Sequence, residues 1–342
     1  MRKHRWLAPS DQPSAFYHCL SRVVDRQYIL GDLEKDRFRA LLAELAEFCQ
    51  VRVLTFCIMS NHFHLLLEVP RPPDPLPSSE ETLAALARLS GSQDVQAARR
   101  HLARLRESGG PEAESAWLAR YHARRWNLSN FLKLLKQRFS AEYNRRMGRK
   151  GTLWEDRFRS VLVEGMGKSL VTVAAYIDLN PIRAKMVQDP KDYRWCGYGE
   201  ACVNPRLAMA GIQRIVCTLL QGEKIEGEAA MAEYRRHLFL EGSEEREKIA
   251  EDGRPVRGAF SREAVLQVLE QGGRLPLKDY LRCQIRYFCD GVVFGSRGFV
   301  ESMFRARQTK LGPRQKAMAN PLKGLDEDWP FTSNALRSKV FG

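Results

Sequence analysis

Residues 51–59 are a continuous β-prone run, and residues 62–69 follow it after the short turn Ser60-Asn61. In the second run Phe63, Leu65, Leu67 and Val69 alternate with His62, His64, Leu66 and Glu68. Alternation with a period of two sends the two sets to opposite faces of a sheet, so one face is apolar and the other carries both histidines. Residues 14–22 read as an earlier strand. Between them, Asp32 is a plausible N-cap for a helix over 33–49, in which Phe38, Leu41, Leu42, Leu45, Phe48 and Cys49 recur at helical spacing. Strand, helix and hairpin make the front half of a ferredoxin-like β-α-β-β-α-β unit.

The back half follows after an interruption. Residues 70–77 are a proline-rich break, and 79–107 are polar, Ala-, Leu- and Arg-rich and read as helical. We expect an insertion over about 71–126. A helix over 128–146 then carries the stripe Leu128, Leu132, Leu135, Phe139 and Tyr143, a fourth strand spans 158–163, and a helix covers 168–180. Pro181 restricts Asn180 and ends that helix, which puts Asn180 at a cap. The expected fold class is therefore α+β, a ferredoxin-like antiparallel sheet with helices on one face, in a domain over 1–200. A helical C-terminal region over 201–342 follows, with charge-rich surface helices over 219–241 and 246–255. Residues 261–310 read either as a helix-turn-helix presenting Arg305, Arg307 and Lys310 or as a plain helical bundle.

Fifty-five Lys and Arg against 41 Asp and Glu give a formal charge of +14, which suits a polyanionic partner. The same charge would suit a ribosome or a membrane surface, so it points to nucleic acid only together with a site. Eight cysteines without a Cys-x-x-Cys pair read as reduced, mostly buried thiols of a cytoplasmic protein. No apolar run is long enough to span a membrane.

The chemistry-bearing residues are few. His62 and His64 share one face of a strand, and Tyr176 and Asn180, four apart, share one face of a helix. Two imidazoles, an amide oxygen and a phenol supply two metal ligands, a third ligand and a nucleophile, the set a metal-assisted phosphodiester transfer to tyrosine needs. Mixed nitrogen and oxygen ligation suits a divalent Mg²⁺ or Mn²⁺ and leaves Zn²⁺ open. The bland alternative is a hydrogen-bonded histidine pair and two ordinary helix-end residues. Tyr143 is a rival nucleophile in a basic neighbourhood, although its place on the stripe makes it a packing residue. His18 reads as a neighbour of the metal site or as a satisfied strand histidine, and Glu68 as a modulator of the metal or as a strand-end surface residue.

Four stretches occur in order: Tyr17-His18-Cys19-Leu20-Ser21-Arg22, Met59-Ser60-Asn61-His62-Phe63-His64-Leu65-Leu66, Gly151-Thr152-Leu153-Trp154-Glu155-Asp156-Arg157-Phe158 and Tyr176-Ile177-Asp178-Leu179-Asn180-Pro181-Ile182-Arg183-Ala184. This series resembles the REP-associated tyrosine transposases, bacterial members of the HUH single-strand transposase superfamily in the insertion-sequence-two-hundred-like group. The resemblance covers roughly residues 14–200. It implies a 5′-phosphotyrosine intermediate on single-stranded or hairpin DNA, and the Asn-Pro form at the third ligand matches the REP-associated branch. Relatives include dimers that exchange the tyrosine helix, so a homodimer is an expected option.

Lys133 to Arg159 holds nine basic residues opposed by Glu142, Glu155 and Asp156. Basic side chains on a glycine-containing loop with one aromatic would neutralise phosphates and stack a base. The DNA-binding candidates are Arg145, Arg146, Arg149, Lys150, Trp154, Arg157 and, one turn past Asn180, Arg183. The alternative is a solvated helix face with a core tryptophan. Two other functions stay open: a non-catalytic nucleic-acid-binding regulator on the same fold, and an RNA-binding module, which would want aromatics where this chain has histidines.

Overall fold

The computed structural model describes residues 6–9, 12–89, 92–203, 205–239, 281, 288–289, 292–307, 319–322 and 330–332. Its centre is the unit expected from the alternation. Strand β1 (Ser14–Arg22) leads to helix α1 (Asp32–Cys49), then to the hairpin β2 (Arg52–Ile58) and β3 (His62–Pro70). After three inserted helices, α2 (Ser79–Leu89), α3 (Ser92–Ser108) and α4 (Gly110–His122), helix α5 (Leu128–Arg146) precedes β4 (Arg159–Val163). These strands lie in the order β2-β3-β1-β4 and every neighbouring pair is antiparallel. Asp32 is the first residue of α1 and not its cap; Gly31 holds the cap position with no side-chain hydrogen bond.

The two faces of β3 are covered by different helices. Phe63 packs against Phe38 of α1, with ring centroids 4.8 Å apart, and against Trp154 at 5.4 Å. Helix α5 joins α1 on that face through Phe139, 5.2 Å from Phe38. These are the helices of one face that the ferredoxin-like reading expects. The other face is also covered. Helix α6 (Lys168–Asp178) brings Tyr176 to His64, and Arg214, from the helix α9 (Pro205–Leu219), donates to Glu68 at 3.0 and 3.2 Å. The core is thus two-sided, with β1 and β3 at its middle.

A β-bulge decides one contact on the second face. Val53 pairs with Leu67, but Thr55 and not Leu54 stands opposite Leu66, so Leu54 is the extra residue. Thr55 therefore points toward α6, where its hydroxyl donates to both oxygens of Asp178 at 2.9 Å.

Beyond residue 200 the expectation of helices alone is corrected. A helix α7 (Asn180–Arg183) follows α6, and α8 (Gly197–Val203), α9 and α10 (Gly227–Phe239) are helical. Val293–Gly295, however, is a strand, β5, that pairs parallel with β4. The pairs Asn320–Pro321 (β6) and Phe331–Thr332 (β7) extend it, giving a seven-stranded sheet ordered β2-β3-β1-β4-β5-β7-β6. Strand β5 is short and fully buried, so it carries no alternation for a sequence reading to find. The last described helix, Arg297–Arg307, follows it within the region expected to be helical. Most of the expected helix-turn-helix, and the helix over 246–255, lie outside the described residues.

Helix α9 approaches β2 at a glycine. A Cβ placed on Gly211 would fall 2.1 Å from the carbonyl oxygen of Leu54, a backbone atom that cannot give way. Gly211→Ala should therefore lower stability by about 1–3 kcal/mol, the usual cost of overpacking. Urea unfolding measures it, and an unchanged midpoint would mean that α9 is not seated on β2 this closely.

Candidate active site

Four rings meet on the covered second face. His64 pairs across the sheet with Leu20 of β1, and His18 with Leu66, so both histidines share a face. His64 lies 5.1 Å from His18 and 5.1 Å from His62 by ring centroids, and Tyr176 stands 6.2 Å from both His18 and His64. Tyr143, by contrast, belongs to α5 on the far face, 7% exposed and stacked on Phe139. Of the two tyrosines weighed from the sequence, only Tyr176 is beside the histidines.

Hydrogen bonds fix how the imidazoles stand. The Nδ1 of His18 is 2.7 Å from the carbonyl oxygen of Phe288, which can only accept, so this nitrogen carries the proton. In the neutral ring Nε2 is then an acceptor, and the Nδ1 of His64, 2.9 Å away, donates to it. His62 places Nδ1 2.7 Å from the amide oxygen of Asn61 and is likewise a donor there. In His62 and His64 alike, Nε2 keeps its lone pair. Burial pushes His18 and His62 down to about 4 and His64 well below its ordinary value, with the charge of Arg183 acting in the same direction on all three. Neutral imidazoles with one nitrogen occupied and the other unprotonated fit a divalent metal. Among the described residues, no group of three or more His, Cys, Asp and Glu side chains is arranged to hold a metal.

Tyr176 lies in the last turn of α6, which ends at Asp178 and not at residue 180, and Asn180 begins the next helix, α7. Asp178, fully buried, accepts from Thr55, from the hydroxyl of Tyr234 at 2.6 Å and from the backbone N–H of Tyr198 at 3.2 Å. Burial raises its carboxyl to about 6, while these hydrogen bonds pull the other way. One side chain so ties α6 to β2, α8 and α10. Asn180 is 8% exposed, and its amide nitrogen donates to the carbonyls of Tyr176 and Ile177 at 3.3 and 3.1 Å. That orientation leaves its amide oxygen as the remaining acceptor.

The sequence reading of α6 needs a correction. Its helical spacing sets Tyr176 off the apolar stripe of Leu170, Val173, Ala174 and Ile177, yet every residue from Ser169 to Asp178 is buried. Tyr176 itself is 2% exposed. Its ring lies 4.7 Å from that of Phe288, and its hydroxyl is 3.4 Å from the Sγ of Cys289. Arg183 stacks on the same ring at 4.0 Å and donates to the carbonyls of Tyr176 and Leu281. Its guanidinium thus meets protein atoms on both terminal nitrogens. Leu281, Phe288 and Cys289 were not among the sequence candidates, and no local pattern marks them.

The basic segment divides. Trp154 is 6% exposed and packs between Phe63, Phe38 and Phe139, on the face away from the histidines. It is a core residue and cannot stack a base, which corrects the sequence reading. Arg146 pairs with Glu34, and Arg149 is half-buried. Arg145, Lys150 and Arg157 are exposed, and no carboxylate pairs with them among the described residues. The loop they flank reaches the His62 end of the sheet: Val23 bridges to Trp154, and the N–H of Glu155 donates to the carbonyl of Arg22, whose residue pairs with His62. Arg22, also missed, has an Nε without a partner among the described residues.

Comparison with known proteins gives one decisive match: residues 12–76 fit the family model described as "Transposase IS200 like". This part of the chain is an IS200-like transposase domain. The matched span runs through β1, α1, β2 and β3 and so includes His18, His62 and His64 of the transposase domain, while Tyr176 lies beyond it. A solved structure described as "Structure of the REP associates tyrosine transposase bound to a REP hairpin" is similar at 11% identity and a TM-score of 0.37, covering 60% of this chain and 86% of that one. No curated protein matches. Among the described residues, no helix is long and apolar enough to cross a membrane.

The buried imidazoles make stability depend on pH. Each has a folded-state value below its unfolded one, so the unfolded chain binds more protons in between. Their stabilisation is complete above about 6.5 and is lost as pH falls toward 4. Asp178, raised from 3.8 to about 6, has the opposite sign but is one group against three. The urea midpoint at about pH 5 should therefore lie below that at about pH 7.5. Equal midpoints would contradict neutral, buried histidines.

Proposed function

We propose that the protein is a DNA strand transferase that cleaves and rejoins single-stranded, hairpin-flanked DNA through a covalent bond to Tyr176. The observation that carries this reading is the approach of Tyr176 to His64, which has His62 beside it, with the Nε2 lone pairs of both histidines left open, in a chain with an IS200-like transposase domain. The hydroxyl of Tyr176 attacks phosphorus, an O–P bond forms, and the P–O3′ bond breaks. The leaving 3′ oxygen takes up a proton. The number of phosphoester bonds is conserved, so a free 3′-hydroxyl can later attack the phosphotyrosine and rejoin strands without an external energy source.

His62, His64 and the amide oxygen of Asn180 would hold a divalent ion, Mg²⁺ or Mn²⁺. When bound, it supplies Lewis-acid stabilisation of charge on a non-bridging phosphate oxygen. The chain's own residues do the rest. Asp178 holds the end of the helix that aims Tyr176, just before Asn180, and Arg183 orients the phenol ring. Arg145, Lys150 and Arg157, at the edge next to His62, would take DNA phosphates. A second reading, a non-catalytic DNA-binding regulator, is favoured by one observation: the hydroxyl of Tyr176 lies against Cys289 and is closed to a phosphate in this arrangement.

A covalent-adduct assay with labelled single-stranded hairpin DNA and Mn²⁺ separates the two. The native chain and Tyr143→Phe should form a protein–DNA adduct, and Tyr176→Phe should form none while binding the hairpin equally well. Adduct from Tyr176→Phe would remove Tyr176 from the chemistry; none from the native chain would leave the regulator reading. Reversing Arg145, Lys150 and Arg157 to Glu should weaken hairpin binding and flatten its log–log salt dependence by about 0.7 for each single-strand phosphate that is no longer neutralised. A slope that does not move would place the DNA elsewhere.

A further inference from the structure

We propose that His18 is a positioning residue that sets the tautomer of His64 and so keeps its Nε2 lone pair directed into the site. This deepens the proposed function and rests on it where the metal is concerned.

The argument is one of donors and acceptors. A backbone carbonyl cannot donate, so the contact between Phe288 O and His18 Nδ1 requires a proton on that nitrogen. His18 then offers only a lone pair at Nε2, and the sole nitrogen of His64 in reach, Nδ1 at 2.9 Å, must bring the proton. A neutral His64 cannot also carry a proton on Nε2. The identity of a main-chain atom is thus passed through two rings and fixes which nitrogen of His64 is available. Left to itself, a neutral histidine in water favours the other tautomer, with the proton on Nε2, and could then not ligate through that nitrogen.

The surroundings make the arrangement rigid. His18 is 1% and His64 4% exposed, so water cannot easily replace either partner. The two rings are stacked with planes 23° apart, and the edge of Tyr176 closes against both. His62 reaches the same tautomer by another route, through the Asn61 side chain, so the two candidate ligands are oriented independently. A strand histidine satisfied only for its own sake would need the Phe288 carbonyl and any donor. Here the donor is Nδ1 of His64, which leaves Nε2 with its lone pair, the arrangement by which an outer partner orients a metal-ligating histidine.

The test uses the full chain labelled with ¹⁵N-histidine, in which long-range proton–nitrogen spectra distinguish protonated from bare ring nitrogens. His64→Ala identifies the His64 signals among the seven histidines. In the native protein His64 should carry its proton on Nδ1. His18→Leu, which offers no acceptor, should move the His64 proton wholly or partly to Nε2 and weaken Mn²⁺ binding by about 10–100-fold, with metal-free hairpin affinity unchanged. His18→Gln, whose amide oxygen can reach the place of Nε2, should restore the Nδ1 tautomer and most of the Mn²⁺ affinity. A folded His18→Leu with His64 still protonated on Nδ1 would overturn the proposal. So would a folded His18→Gln that behaves like an acceptor-free variant, and this variant decides the matter if His18→Leu does not fold. A native protein with the Nδ1 tautomer that shifts in His18→Leu but binds no Mn²⁺ would sink the metal reading and leave the positioning role standing.

Discussion

Strands β1 and β3 are covered on both faces, and this burial governs the rest of the molecule. A half-exposed sheet could leave polar side chains on its wet face to water. Here His18, Thr55, His64 and Glu68 all lie under α6 and α9, each no more than 4% exposed. A buried polar group without a partner costs on the order of 1–3 kcal/mol, so each must be met by another protein atom. Glu68 is met by Arg214 and Ser14, Thr55 by Asp178, and His18 by His64 and the Phe288 carbonyl. Partners chosen in this way fix orientation as well as depth. The site gains its geometry from the same requirement that keeps the core dry.

Much of this is legible in the sequence, for a reason that can be named. Period-two alternation in 62–69 is a local signal, and it places Phe63 with the core and both histidines together on the opposite face. The helical stripe of α5 is also local and correctly sets Tyr143 aside as packing. Where the reading fails, the deciding contacts are remote. Tyr176 looks exposed when one stripe of α6 is counted as buried; its ring is covered by His18 and His64 of the sheet and by Phe288, all far from it along the chain. Strand β5 has three residues and no alternation, and only its pairing with β4 defines it. The basic loop with Trp154 has the composition of a nucleic-acid site, but an aromatic among arginines can be core as readily as stacking surface, and no pattern within the loop separates the two.

The basic residues themselves sort by what they touch. Arg146 and Arg183 are bound to a carboxylate and to carbonyls, and each covers a tyrosine ring. Arg145, Lys150 and Arg157 remain in solvent. A net charge of +14 therefore overstates the charge offered to a partner at this edge. Coulomb steering depends on the uncommitted side chains, which stand at the end of the sheet where Arg22 and His62 pair.

The carbonyl that anchors His18 belongs to residue 288, while the histidines and Tyr176 are complete by residue 176. On a ribosome that separation is an interval of time. At ordinary elongation rates of about 5–20 residues per second, the Phe288 carbonyl emerges roughly 5–20 s after the tyrosine helix. Until then His18 Nδ1 has no main-chain acceptor from that segment, and the ring of Tyr176 lacks its Phe288 cover. A nascent chain thus holds every residue of the motif before it holds the site, and a chain that ended before residue 288 would keep the motif without the anchor.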